Sequence, residues 1–358
     1  MAAIRPRDLL TDGLLGRIGQ PGTQAGDIAV LAEVGYLNVA LPPEFGGLGC
    51  TLRQAACGQR RLARHAPDTA LAVSAHLYWT GAAADAYRAG DESMRWILLE
   101  AARGALFAGG HGEAGGDLRF ADPRSRCEPS EGGYRFRDPG VLSSMTPSWD
   151  WIAVHAVHAV GRPQSVIAFA GRGTRCTPAF RVARVCAAGT PEDVFTASAL
   201  TWGHSILASV QYSDARRAFN DAITSCAESA TPDAFADSLA DSLADSLAAG
   251  DSAAAAGDSA AAAGDSTLAA GPPGSALPGP AGTHERPTGR WPVAEADVLL
   301  DAMKAKIAQI THPWQLVKDP TPDLGGQHLI SLYAMRHEVA EGAAQVHTLI
   351  TRDRKSVV

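Results

Sequence analysis

Residues 107–117 read Phe107-Ala-Gly-Gly-His-Gly-Glu-Ala-Gly-Gly-Asp117, and five of these eleven residues are glycine. Glycine has no Cβ, so such a loop lets backbone N–H groups approach a ligand closely. The loop suits a flat ring or a phosphate held by the main chain, although no Lys-Ser/Thr pair follows to make a phosphate loop. The alternative is a plain turn. The loop lies between a helical first third of the chain and a strand-rich middle, and such boundaries between domains favour ligand sites.

On the N-terminal side of this loop, residues 1–106 have the apolar spacing of helices. Apolar side chains at three-residue spacing predict a helix from Asp27 to Leu37. The segment Leu41-Pro-Pro-Glu-Phe-Gly-Gly-Leu-Gly49 follows, and its prolines and glycines predict a defined turn. Further helices are predicted at 53–64, 68–88 and 91–103. The first domain is therefore a helical N-domain over residues 1–106.

On the C-terminal side, residues 107–190 predict a middle β-domain. Its strand candidates are Trp151–Val160, Ser165–Ala170 and Phe180–Val185, preceded by a hairpin-like turn at Gly132. These are too few strands for a complete sandwich or barrel. We therefore expect an incomplete β-domain with a deletion near residue 183.

The last third is helical apart from a low-complexity insert. Residues 191–227 and 284–352 have helical spacing and predict a C-terminal helical domain. Between them, residues 228–283 repeat Ala-Asp-Ser-Leu and then Gly-Asp-Ser-Ala-Ala-Ala-Ala. These units contain too few large apolar side chains to offset their ordering entropy, which indicates a linker or insert. The predicted fold class is α+β.

Composition excludes several classes of function. The 358-residue chain carries a formal charge of −7 and contains no basic patch interleaved with aromatic residues, which argues against nucleic acid as a partner. No apolar run is long enough to span a membrane. The six cysteines form no Cys-x-x-Cys pair, as in a reduced, cytoplasmic protein.

Four segments together resemble one family, the acyl-CoA dehydrogenases. Residues 41–49 resemble the family's Pro-x-Glu-Phe/Tyr-Gly-Gly-x-Gly turn, and residues 107–117 resemble its flavin loop. Gly132-Gly-Tyr-Arg-Phe136, followed by Val141-Leu-Ser-Ser-Met-Thr-Pro147, resembles its Gly-Tyr … Lys-x-Trp-Ile-Thr/Ser segment. Glu285-Arg-Pro-Thr288 resembles a Glu-Arg-x-Thr/Ser turn in its C-terminal bundle. The resemblance covers most of the chain except the insert.

The resemblance implies FAD in a cleft between the β-domain and the C-terminal bundle. It implies α,β-dehydrogenation of an acyl-CoA thioester in a homodimer or homotetramer, with an electron acceptor that it leaves open. The matching cofactor positions are Phe107, Gly109, Gly110, Leu142, Ser144 and Arg286. Gly110 replaces a threonine, and Leu142 replaces a tryptophan beside the ring. Gly116 replaces a serine that contacts the thioester end of the substrate.

The catalytic base is the position that the resemblance does not supply. The family's C-terminal glutamate has no counterpart, and the helix predicted from Phe195 to Ser225 has only Asp214 and Asp221 as carboxylates. Glu338 and Glu341 have the pattern of solvated helix charges. The last residues, 353–358, are typical of a translated sequencing adapter, so we expect a C-terminally truncated product.

Two alternatives to a dehydrogenase stay open. A flavin-dependent monooxygenase on the same fold needs no carboxylate base and would use reduced flavin and oxygen. An inactive, truncated relative would neither bind FAD nor turn over substrate.

Overall fold

The computed structural model describes residues 4–20, 24–109, 125–130, 133–137, 145, 148–158, 164–172, 180–187, 193–229, 291–312 and 326–356. The chain forms two compact units, Met1–Arg217 with Leu300–Ala344 and Ala218–Leu299 with Gln345–Val358. In the second unit the described residues are helical. All but the first two residues of the insert at 228–283 lie outside the described residues. The domain boundaries drawn from the sequence stay predictions.

The first unit begins with a helical region, as the sequence predicts. The helices are α1 (Pro6–Leu9), α2 (Asp12–Leu15), α3 (Gln24–Glu33), α4 (Leu52–His65), α5 (Pro67–Arg88) and α6 (Arg95–Ala102). Short 3-10 turns lie at Tyr36–Asn38, Pro43–Phe45 and Glu92–Met94. The start of α4 is fixed by a capping box in which Thr51 and Gln54 each bond the other's backbone N–H.

Two of the predicted helix bounds are wrong. The predicted helix from Asp27 to Leu37 ends at Glu33, because Gly35 takes a left-handed conformation with φ of 75° and starts a 3-10 turn. The predicted helix at 91–103 begins with a 3-10 turn and becomes α-helical only at Arg95. In both places one glycine with positive φ, Gly35 or Gly90, redirects the chain.

The middle of the chain forms a mixed sheet of six strands in its described part. The strands are β1 (Phe107–Gly109), β2 (Arg126–Ser130), β3 (Gly133–Arg137), β4 (Trp151–His158), β5 (Gln164–Gly171) and β6 (Phe180–Ala187). Their order is β3-β2-β4-β5-β6, and β1 pairs in parallel with β4. The glycine-rich stretch therefore opens as a strand, and β2 is an element that the sequence did not predict.

The two faces of this sheet bury different clusters. On one face, Cys127, Ala156 and Val166 form a small core with Tyr134 and Phe136. The pairing register places Phe107, Trp151 and Phe169 together on the other face. His155 shares that second face and His158 the first, because successive strand residues alternate. The two histidines therefore lie on opposite faces of the sheet.

Three long helices follow the sheet: α7 (Val194–Ser229), α8 (Trp291–Thr311) and α9 (Gly326–Ser356). The helix α8 ends at Thr311, and His312 follows it as a turn. Within the first unit, α7 packs on α5 through Trp202, whose indole N–H donates to Asp85 at 2.8 Å. On α9, His328 Nε2 lies 3.0 Å from the Thr201 hydroxyl of α7. The first contact joins α7 to the N-terminal helical region, and the second joins α9 to α7.

Candidate functional site

A cluster of aromatic rings surrounds the first residue of β1. Phe107 is fully buried, with ring centroids 5.8 Å from Trp96, 5.9 Å from Phe169 and 6.1 Å from His76. Trp96 also meets Trp151 edge-on at 5.2 Å. Such edge-to-face pairs each stabilise packing by about 0.5–1.5 kcal/mol beyond buried area. The start of the glycine-rich stretch is therefore held by α5, α6, β4 and β5 together.

Two side chains hold the backbone at the same point. The Leu106 N–H donates to the Asp150 carboxylate at 2.8 Å, and the Phe107 N–H donates to His76 Nδ1 at 3.3 Å. The Leu106 carbonyl accepts from the N–H groups of Asp150 and Trp151 at 2.9 and 3.0 Å. All of these bonds are made by Leu106 and Phe107, which precede Gly109 in the chain. The main chain at the start of β1 is thus held by two side chains from elsewhere in the chain, Asp150 and His76.

The bonding of His76 fixes its tautomer. Its Nδ1 accepts from a backbone N–H and so carries no proton, which leaves Nε2–H to donate to the Leu37 carbonyl at 3.0 Å. The side chain is 1% exposed. Burial lowers the pKa of His76 to about 4, against the opposing effects of the Leu37 bond and the Asp150 charge. A neutral imidazole therefore bridges α5, the turn at Leu37 and β1.

The lowered pKa of His76 predicts a pH-dependent stability. Because the folded pKa lies near 4 and an unfolded histidine titrates near 6.5, the unfolded chain binds the proton more tightly between these values. The contribution of His76 to stability is therefore present above about pH 6.5 and is lost as the pH falls towards 4. We expect His76 to account for a decrease of about 2 kcal/mol in the free energy of unfolding between about pH 7.5 and pH 5.

Urea unfolding of the wild type and of His76→Asn at both pH values measures this contribution. The variant should show a flatter dependence on pH. His65→Gln changes an exposed histidine at the end of α4 and serves as the control. An equal slope in the wild type and His76→Asn would contradict the prediction.

Of the residues assigned by resemblance, the structure describes Phe107 and Gly109. The ring of Phe107 belongs to the core, so its contribution to a cofactor would come through its main chain. Gly109 ends β1 and is partly exposed. The other assigned positions, Gly110, Gly116, Leu142, Ser144 and Arg286, lie outside the described residues. Their roles stay predictions.

The carboxylates considered as a base are all at the surface. Asp214 accepts from Arg217 at 2.8 Å, and Asp221 is exposed. Glu338 Oε2 lies 2.8 Å from Lys306 Nζ, and Glu341 Oε1 lies 3.3 Å from His337 Nε2. The solvated character predicted for Glu338 and Glu341 agrees with side-chain exposures of 46% and 59%.

Two buried carboxylates were not anticipated from the sequence, Asp27 and Asp85. Asp27 accepts from the Gly19 N–H at 2.9 Å and from the Thr69 hydroxyl at 2.7 Å. Asp85 accepts from Trp202 at 2.8 Å and from Arg88 at 3.1 Å. Both carboxylates have structural partners. His76 was also not anticipated, and its only sequence signal is a histidine within an apolar stretch of α5.

The described end of β1 fits a flat, ring-shaped cofactor. Gly109 lies on the sheet face that carries Phe107 and Trp151, beside Ala153 in register. Ala153 is fully buried, because the ring of its register partner Phe169 packs against Trp79 and Trp96 on this face. The buried polar side chain of His155 follows on the same face of β4. A planar ring such as a flavin could therefore approach the main chain at Gly109, which is partly exposed and has no side chain.

Other classes of site have no support in the described part of the chain. No helix there is long and apolar enough to cross a membrane. The same residues contain no group of three histidine, cysteine or acidic side chains placed to hold a metal ion.

Solved structures share the fold of the chain. A nitrososynthase from Micromonospora carbonacea var. africana has a TM-score of 0.62 at 18% identity, with 97% of this chain and 85% of that chain covered. KijD3 in complex with FMN and dTDP-3-amino-2,3,6-trideoxy-4-keto-3-methyl-D-glucose has a TM-score of 0.61 at 16% identity, covering 96% and 83%. A variant of the steroid ACAD Tcur3481-Tcur3483 has a TM-score of 0.59 at 16% identity, covering 98% and 85%.

Two further solved structures are similar to the chain. They are a methanesulfinate monooxygenase, MsuC, from Pseudomonas fluorescens, and PigA with FAD and proline. No protein-family model and no curated protein sequence matches the chain. The structural similarities confirm the predicted α+β fold of the acyl-CoA dehydrogenase type, with helical regions before and after the strands in the chain.

Proposed function

We propose that the chain is a flavin-dependent oxidoreductase that binds FAD at the C-terminal end of β1. The observation that carries this proposal is the clamped start of β1, which leads into a glycine-rich loop at the position of the family's flavin loop. The flavin-containing structures of the same fold, with FMN in KijD3 and FAD in PigA, support it. The flavin would supply the hydride acceptor.

The residues of the chain would bind and orient the cofactor. The main chain of Phe107, Gly109 and Gly110 would face the ring, with Leu142 and the Ser144 hydroxyl beside it. The positive charge of Arg286 would offset the charge of the pyrophosphate. Gly116 would lie at the thioester end of the substrate.

The reaction that the sequence motifs favour is α,β-dehydrogenation of an acyl-CoA, and the similarity to a steroid ACAD supports it. A carboxylate base would remove the α-proton in this chemistry. We propose a homodimer or homotetramer in the cytoplasm for the assembled enzyme, as the resemblance implies.

A second candidate is a flavin-dependent monooxygenase. Among the described residues, both buried carboxylates accept structural hydrogen bonds, and Asp214, Glu338 and Glu341 are paired at the surface. A monooxygenase on this fold needs no carboxylate base. The similarity to MsuC supports this candidate.

The visible absorbance spectrum of the purified protein tests both candidates. We expect a flavin spectrum, either as isolated or after addition of FAD. Bleaching on anaerobic addition of mixed acyl-CoAs would identify the dehydrogenase. A flavin that stays oxidised, together with oxygen consumption when free reduced flavin is supplied, would identify the monooxygenase. A protein that FAD cannot reconstitute would refute the proposed function and favour the inactive relative.

A further inference from the structure

Arg60 of α4 meets the buried face of α7. Its side chain is half-buried, and its Nη1–H donates to the Ser209 hydroxyl at 3.4 Å. Ser209 is fully buried, and both residues belong to the first unit. Among the described residues no carboxylate pairs with Arg60, and its one side-chain hydrogen bond is the bond to Ser209. The guanidinium is therefore partly withdrawn from water without a counter-ion, which is unfavourable for a charged group.

The helix that carries Arg60 is positively charged. The 14 residues of α4 include four arginines and no acidic residue. Arg61 has Asp12 as its counter-ion, with 2.6 Å between Nη2 and Oδ1. Arg53 and Arg64 have no carboxylate partner among the described residues. An anion close to Arg60 would therefore be attracted by the helix as a whole, although the chain has a formal charge of −7.

A hydroxyl without a partner lies beside this arginine. Ser213 follows Ser209 by one turn of α7, is fully buried, and has no hydrogen-bond partner for its hydroxyl among the described residues. Side chains four residues apart are neighbours on one helix face, and the Cα–Cβ bond tilts towards the helix N-terminus. The Ser213 side chain therefore leans towards the turn that contains Ser209. A buried hydroxyl without a partner destabilises the folded protein, so an acceptor at this point would be favourable.

We propose that Arg60, Ser209 and Ser213 form a binding site for a tetrahedral oxyanion such as phosphate, where α4 meets α7. Arg60 supplies the positive charge and several N–H donors, and Ser213 donates its hydroxyl proton to a second oxygen. Ser209 holds the guanidinium in place by accepting one of its N–H groups. Arg60 is the half-buried member of the site, so the anion enters from its side. The site is independent of the proposed flavin chemistry and uses none of the residues assigned to it.

Urea unfolding of the full-length chain in increasing inorganic phosphate tests the site, with sodium chloride adjusted to keep the ionic strength constant. A ligand that binds only the folded state raises stability with a concentration dependence that is set by its Kd. We expect this dependence in the wild type, and an apparent affinity at least about tenfold weaker in Arg60→Gln, because the charged donor is lost. Ser213→Ala should weaken the affinity about threefold to tenfold, since one neutral hydrogen bond is lost.

Two matched variants control for the loss of charge and for the loss of a buried hydroxyl. Arg53→Gln removes an exposed arginine of the same helix, and Ser198→Ala removes a fully buried hydroxyl without a described partner near the start of α7. Both should keep the phosphate affinity of the wild type. Equal phosphate dependence in Arg60→Gln and the wild type, or equal loss in Ser198→Ala and Ser213→Ala, would overturn the proposal. The same holds if phosphate stabilises all variants alike, as its general exclusion from protein surfaces would do.

A more conservative variant keeps the test decisive if Arg60→Gln does not fold. Arg60→Lys retains the charge but loses the planar fork of donors, so it should bind phosphate about threefold more weakly or less tightly still. An affinity equal to that of the wild type would contradict the role of the guanidinium. Adenosine monophosphate in the same assay separates free phosphate from a phosphate ester. Because Ser213 is fully buried, we expect the ester to bind more weakly than the free anion, and tighter binding of the ester would make a phosphorylated compound the ligand.

Discussion

Replacement of Gly81 by alanine is expected to lower the free energy of unfolding by about 3 kcal/mol or more. An added Cβ at Gly81 would lie 2.6 Å from Cε2 of Trp202 and closer still to two other atoms of the indole. Both α5 and α7 are packed at this point, where Trp202 is 1% exposed. Alanine raises helix propensity by about 1 kcal/mol relative to glycine, which offsets only part of the steric cost.

The indole cannot rotate away from this clash at low cost. Its N–H donates to the buried Asp85 carboxylate, which also accepts from Arg88. A hydrogen bond to a charged group contributes about 1.5–3 kcal/mol, and breaking it would leave a buried carboxylate with one partner fewer. The strain must therefore be relieved by moving the two helices apart, which disturbs the aromatic packing around them.

Urea unfolding followed by tryptophan fluorescence would measure the effect. Gly26→Ala is the matched control, because a Cβ at Gly26 in α3 meets nothing within 4 Å. We expect Gly26→Ala to raise the free energy of unfolding by about 0.5 kcal/mol, because alanine has the higher helix propensity. Combining Gly81→Ala with Trp202→Leu should cost less than the sum of the two single changes. A Gly81→Ala protein as stable as Gly26→Ala would contradict the steric argument.

Sequence reasoning succeeded where structure is determined locally. The turn of residues 41–49 was predictable because proline fixes φ and glycine permits positive φ, and the structure has φ of 81° at Gly46. The long helices were predictable from apolar periodicity. The helix end at Glu33 and the helix start at Arg95 were missed, and the first was missed because an isolated glycine within an apolar pattern does not show which φ it will adopt.

Sequence reasoning could not reach the contacts that form the site. His76 bonds residues 39 and 31 positions away, and Trp202 bonds a carboxylate 117 positions away. Periodicity identifies which face of a helix is buried, but it does not identify which neighbour that face meets. Resemblance assigned Phe107 and Gly109 to a cofactor site, and these assignments stay predictions. It gave no indication that a histidine of the helical region accepts a hydrogen bond from the Phe107 N–H.

The second large loss of stability is expected for Gly47→Ala, in the turn of residues 41–49 that precedes α4. An added Cβ at Gly47 would clash with the carbonyl oxygens of Leu41 and Asn38, because it would lie closer to them than van der Waals contact allows. It would also lie 2.5 Å from Leu41 Cβ. Both oxygens are fixed by the hydrogen bonds of the turn. The Leu41 carbonyl accepts from Gly49 at 2.8 Å, and the Asn38 carbonyl accepts from Leu41 at 3.1 Å. We expect Gly47→Ala to destabilise the protein by about 4 kcal/mol, since only backbone displacement can relieve the clash.

The adjacent glycine provides the control. Gly46 has φ of 81°, but a Cβ there meets nothing within 4 Å. Gly46→Ala should therefore cost only the strain of a left-handed alanine, about 1–2 kcal/mol. Thermal unfolding of both variants tests the difference, and equal losses would show that the strain of the turn is conformational rather than steric.

The same pair of variants connects the turn to the proposed cofactor site. Displacing the Asn38 carbonyl moves the 3-10 turn that contains Leu37, and the Leu37 carbonyl holds His76. His76 in turn holds the Phe107 N–H at the start of β1. Where Gly47→Ala remains folded, the amide hydrogen of Phe107 should therefore exchange faster than it does in Gly46→Ala. Equal exchange at Phe107 in the two variants would mean that the start of β1 is held without the turn, with the Asp150 bond to the Leu106 N–H as one remaining contact.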